Sequence, residues 1–239
     1  MTKTKFILLF IVFFLTIEIF SHFYFPIFIN VFFKACLSIL LFLFYYFQID
    51  GKLIQADKLF FFTIFFGFLG EIFFVFQQNE INNSFLLFLY LVEHQLYISL
   101  LRPKRFITYM DSNYDFIKKG WPYLLIAFLF FGFFLMDIIP DSIFLLSIFY
   151  VFQFSILGAY SLMLSKNKLG KNYIVLGVIV VSISDILASY YVFIGKFPSS
   201  YIIIRAVYYL SKVLLAYGFL LKRNNKISGE INHWDMGDI

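Results

Sequence analysis

The chain alternates long apolar runs with short polar breaks. Eight runs can be drawn, over roughly 5–21, 24–47, 59–77, 82–101, 121–137, 142–164, 172–194 and 200–221. A helix needs ~20 mainly apolar residues to cross a bilayer, whereas a barrel strand needs only ~10. In lipid the backbone must satisfy its own hydrogen bonds, and runs of this length do so as helices. The pattern therefore predicts an all-α, polytopic membrane bundle of eight transmembrane helices. It forms one domain over 1–221, with a polar tail over 222–239. The first run is read as a retained helix. Its apolar stretch is too long for a signal peptide, and no small-residue cleavage site follows around Ser21–Pro26. The longest break, 102–119, is expected to be a loop. Pro26, Pro122, Pro140 and Pro198 are all expected at helix ends, because proline lacks the N–H that a helix interior uses.

Composition supports the membrane reading. Hydrophobic residues make up 62% of the chain and charged residues 14%, and the mean hydropathy is +0.88. A soluble domain would carry roughly a quarter charged residues. The 38 Phe and 17 Tyr are given no functional meaning. Charge then orients the bundle. Fifteen Lys and Arg fall at one end, among them Lys52, Lys58, Arg102, Lys118, Lys171, Lys222 and Arg223; the other end holds only Lys196. The positive-inside rule places both termini in the cytoplasm, in the plasma (inner) membrane if the cell is bacterial. This asymmetry accounts for the net charge of +5, so no nucleic-acid partner is expected; membrane lipid is the surrounding partner. The lone Cys36 rules out a disulfide within the chain and reads as an inert packing residue. No P-loop, dinucleotide fingerprint, Gly-x-Ser-x-Gly or Cys-x-x-Cys is present.

A few polar residues remain inside the spans, where a charge costs several kcal/mol. Glu71 and Asp185 stand near the middle of theirs. Lys34, His94 and Lys212 lie at similar depth, about 11 to 15 residues into their runs at ~1.5 Å per residue. Arg205 sits nearer the opposite end, and Glu18 and Glu93 read as structural or snorkelling acids. Helical spacing sharpens the picture. Gly67, Gly70 and Glu71 share a face, with room beside the carboxylate for a helix or a ligand. Ser182, Asp185 and Ser189 share another, as do Arg205, Tyr208, Tyr209 and Lys212, and as do His94 and Tyr97. Single residues of this kind often lock helices together as buried pairs. A layer of two acids, two lysines and a histidine favours a functional cavity, with Glu71 and Asp185 pointing into it. His22 and His233 lie outside that layer, so no metal site and no cofactor are expected. The third and seventh runs each carry an acid after small residues, at the same orientation. That suggests two parallel four-helix halves.

In order along the chain, these motifs resemble the YhhN family of lysoplasmalogenase-like membrane proteins. The carrying residues are Lys34 in Phe-Phe-Lys-Ala, Glu71 in Gly-Phe-Leu-Gly-Glu, and His94-Gln-Leu-Tyr97. Ser184-Asp185 and Tyr208-Tyr209-Leu-Ser-Lys212 complete the set. Two positions depart from the family's pattern: Glu71 stands where an Asp is usual, and Lys212 where a Gln is usual.

The resemblance implies a hydrolase that cleaves the vinyl ether bond of lysoplasmalogens, releasing a fatty aldehyde and a glycerophospho-base. A lysophospholipid would then be the substrate. Glu71 and Asp185 would be the catalytic pair, one a proton donor and the other a base or stabiliser. Glu71 is expected as the acid and Asp185 as the base, with the reverse left open. Lys34, Arg205 and Lys212 would hold the phosphate, and His94, Tyr97, Tyr208 and Tyr209 would line the substrate site. Two other classes stay open: a secondary transporter or channel with a mid-membrane ionisable site, and a non-catalytic lipid-binding protein.

Overall fold

The computed structural model describes residues 3–49, 52–76, 80–102, 110–164 and 170–227. Lys104, Arg105, Lys166, Lys168 and the tail from 228 onward lie outside these described residues. The described chain is all-helical, and each of its eight helices is long and apolar enough to span a membrane. They are α1 (Lys3–Tyr24), α2 (Ile27–Tyr46), α3 (Gln55–Val75), α4 (Glu80–Leu101), α5 (Met110–Phe130), α6 (Asp141–Met163), α7 (Lys171–Ser189) and α8 (Ser200–Ile227). Pro26 and Pro140 stand immediately before α2 and α6, where a missing N–H costs nothing.

Neighbours in sequence pack as antiparallel pairs, except α4 and α5. In addition α4 packs on α6, and α8 returns to pack on α1 and α2. α8 is the most buried of the eight spans. Small residues let α7 and α8 approach closely: Gly177 lies against Leu215, and Gly218 against Ile174. Gly170 opens α7 at φ +93°, a left-handed value that suits glycine. A Cβ there would also collide with the Gly218 carbonyl.

The bundle has a polar inside and an apolar outside. Glu18, Lys34, Asp57, Glu71, Glu93, Arg205, Lys212 and Arg223 are buried, while Phe13, Phe32, Phe62, Phe65 and Phe133 face outward. At the Lys/Arg-rich end, Asp57 accepts hydrogen bonds from the Tyr45 hydroxyl (3.0 Å) and Arg223 Nε (3.1 Å), tying α2, α3 and α8 together.

Three expectations change. The break at 102–119 is not all loop, because α5 begins at Met110. Hydropathy does not mark this polar first part: a helix that satisfies its own backbone can continue past the apolar core. Pro122 therefore lies inside α5 rather than at its start. The bundle also runs past 221, with α8 helical to Ile227. Finally, α5 and α7 each end in a π-helical turn, at Phe131–Leu135 and Tyr190–Ile194. Such turns are rare and often sit at functional sites. The two contact each other.

Candidate functional site

Four charges meet between α1, α2, α3 and α8. Lys34 Nζ lies 2.9 Å from Glu71 Oε2 and 3.1 Å from Glu18 Oε1. Arg205 Nε lies 3.2 Å from Glu18 Oε1, and its Nη1 pairs with Glu71. Two carboxylates thus face two cations, and the group carries no net charge. That balance is what makes it tolerable away from water, where one unmatched charge costs far more than a matched pair. Glu18 is the hub rather than a peripheral acid. It also accepts from Tyr201 Oη at 2.5 Å and from Asn30 Nδ2 at 3.3 Å. Tyr209 lies flat under the guanidinium, with its ring centroid 4.9 Å from Arg205 Cζ.

A second pair sits beside the first. Lys212 bonds to Glu93, and the rings of Tyr208 and Tyr97 lie 4.5 and 5.2 Å from its Nζ. The Lys at position 212 therefore adds no net charge, because Glu93 answers it. Lys34, Arg205 and Lys212 all have carboxylate partners, while Arg205 Nη2 is buried without a hydrogen-bond partner. The glycines of α3 serve this packing. A Cβ on Gly67 would come within 3.0 Å of Tyr208 Oη and Glu93 Oε2, and one on Gly70 within 2.8 Å of the Tyr90 ring. The space beside Glu71 is filled by side chains of α4 and α8.

Asp185 has different company. Its Oδ2 lies 3.3 Å from His94 Nε2, yet that oxygen has no hydrogen-bond partner. His94 Nδ1 has none either. Tyr150 packs on the imidazole, with centroids 4.9 Å apart. Asp185 and Tyr150 line two adjoining cavities of ≈ 60 and ≈ 40 Å³ between α4, α5, α6 and α7, which also share Leu87, Ser189 and Phe193. The larger is walled by both π turns, through Phe131, Leu135 and Phe193. The smaller is walled by Asn83, whose Oδ1 is also buried without a partner. Unmatched polar atoms are expensive in such an interior. Two of them, on Asp185 and Asn83, belong to residues that line the smaller cavity and mark where a ligand or water can bond. The space suffices for a few waters. It is smaller than the ~300–1,000 Å³ of a ligand site, so a larger guest must part the helices.

Glu71 and Asp185 thus take separate partners, and Tyr90 connects them. Its hydroxyl donates to Glu71 Oε1 at 3.3 Å, and the residue lines the smaller cavity beside Asp185. The structure brings Lys34 and Arg205 to Glu71 and brings His94 to Asp185. Lys212, Tyr97 and Tyr208 gather around Glu93 instead. Sequence reasoning passed over Tyr90, Tyr150 and Tyr201, and undervalued Glu18 and Glu93. Tyr90, Glu93, His94 and Tyr97 fall on one helical stripe, which was a usable signal. Tyr150 offered none in so aromatic a chain. Among the described residues, no three His, Cys, Asp or Glu side chains gather where a metal could bind.

No curated protein matches the chain, and no solved structure does. The family pattern does match. It covers residues 29–219, from just before Lys34 to just beyond Lys212, and so spans α2 to α8 with every charged group described above except Glu18 and Arg223. This match over most of the chain places it in the YhhN family.

Proposed function

We propose that the protein is a membrane-embedded hydrolase that cleaves the vinyl ether bond of lysoplasmalogen-type lipids, with Asp185 and His94 at the reacting bond. One observation carries this reading. Asp185 lines an apolar cavity with its Oδ2 unsatisfied and His94 Nε2 3.3 Å from it, while Glu71 is matched by two cations. The pair can hold a proton between them and give it up. Glu71, pinned as an anion by Lys34 and Arg205, is poorly placed to donate one. In this reading, which is the reverse order left open from the sequence, the Asp185–His94 pair supplies the proton, and Glu71 orients the Tyr90 hydroxyl beside the smaller cavity.

The chemistry balances. The proton goes to the vinyl carbon remote from oxygen, and the C=C pair forms the new C–H bond. The oxygen-bearing carbon becomes an oxocarbenium ion. Water adds to that carbon and loses a proton to the carboxylate or imidazole, restoring it. The hemiacetal hydroxyl then loses its proton as the C–O bond to the glycerol oxygen breaks and that oxygen takes up a proton, releasing aldehyde and glycerophospho-base with one water consumed. The phenyl and aliphatic walls suit the fatty chain. The Lys/Arg asymmetry supports a cytoplasmic location for both termini.

The test gives the purified protein a lysoplasmalogen and, separately, the saturated-ether analogue. Aldehyde should appear from the first only. Asp185→Asn should cut the rate by ~10²–10⁴-fold, the usual worth of a general acid or base, while the protein stays folded. A wild-type protein that releases no aldehyde, yet moves a solute across proteoliposomes in an Asp185-dependent way, would replace hydrolysis with transport.

A further inference from the structure

We propose that the cleft between α2 and α3 binds one acyl chain of a phosphate-bearing bilayer lipid, with its phosphate at Lys58. The site is separate from the Asp185 cavity and does not rest on the hydrolase reading. Two polar bridges frame the cleft. Lys34–Glu71 joins the helices at mid-membrane, and Tyr45–Asp57 joins them at the Lys/Arg-rich end. Between the bridges the helices part, leaving an apolar groove of ≈ 690 Å³ open to the outside of the bundle. Such a gap, pinned above and below, is not loose packing. Ala35 and Ser38 give the groove its depth, and Phe61, Phe62, Phe65 and Phe68 form the α3 wall.

Length decides how an occupant lies. From Lys58 to Phe68 the groove follows ten residues of α3, about 15 Å at ~1.5 Å per residue. That is half of the ~30 Å hydrocarbon core, the depth of one leaflet. A chain descending from the headgroup region at the Lys/Arg-rich end fits from mouth to closed end. Charge decides which leaflet supplies it. Lys58 is exposed at the mouth. Its neighbour Asp57 is buried and occupied by Tyr45 and Arg223, so that carboxylate does not offset the ammonium. A basic residue at headgroup level attracts lipid phosphate.

The test places the full chain in phosphatidylcholine vesicles containing phosphatidylglycerol with a photoreactive group near one chain end. Peptides are then mapped by mass spectrometry. Label should concentrate on 35–42 and 61–68. Ile39→Trp, at an exposed position of the groove, should remove most of it, and Ser38→Leu serves if that variant does not fold. Lys58→Ala should lower labelling about fivefold, the worth of one basic residue at an anionic surface. Ile179→Trp, at an exposed position on α7, should change nothing. Label spread evenly over the outward faces, or insensitive to both groove and Lys58 substitutions, would overturn the site. Label displaced by lysolipid but not by excess diacyl lipid would make the groove a substrate path instead.

Discussion

Glu71→Gln looks from the sequence like a clean probe of catalysis, since the amide keeps the shape and loses only the charge. The structure makes it chiefly a stability experiment. Glu71 is 3% exposed and is bonded to Lys34 and Arg205. Removing its charge leaves Glu18 alone to face two buried cations, a net charge of +1 in the apolar interior. Breaking a buried pair from one side costs about 3–5 kcal/mol. The second variant, Glu71→Gln with Lys34→Met, removes one charge of each sign and leaves Glu18 bonded to Arg205 at 3.2 Å. Replacing a buried pair by apolar groups is often close to neutral, so the double variant should recover most of the loss. Reversible unfolding in mixed micelles, read by helical circular dichroism, gives all four corners of the cycle. A Glu71→Gln protein within about 1 kcal/mol of wild type, or a double variant as unstable as the two single losses added together, would refute the charge-balance argument.

The second buried pair should behave in the same way. Glu93→Gln alone should cost about 3 kcal/mol, and adding Lys212→Gln, the residue usual in the family, should restore most of it in the same unfolding assay. Gly70→Ala puts a methyl 2.8 Å from the Tyr90 ring, so it should cost about 1–3 kcal/mol by overpacking and slow aldehyde release by moving Tyr90. Gly132→Ala, where a Cβ meets nothing within 4 Å, should leave both unchanged. Reporter fusions at 168 and at the C-terminus should read cytoplasmic and those at 80, 140 and 197 external; an external C-terminus would undo the orientation.

The eight spans and the residues that cannot face lipid are legible in the amino-acid pattern. Both follow from a strong and local signal. About 20 apolar residues cross a bilayer whatever their neighbours do, and an acid such as Glu71 or Asp185 within such a run must turn inward. That pattern did not determine who meets whom. Lipid chains are as apolar as leucine, so apolar patterning does not tell a membrane helix which face to bury. The inward polar residues then choose partners by geometry across helices far apart in the chain. Tertiary structure alone gave Lys34 and Arg205 to both Glu18 and Glu71, matched Lys212 with Glu93, and left Asp185 with His94 at the cavity. It also decided the helical start at Met110 and the two π turns, where packing rather than hydropathy sets the backbone. Charge matching is the physical reason for these choices: in a medium that cannot solvate ions, each buried charge is settled by the nearest opposite charge the fold can deliver.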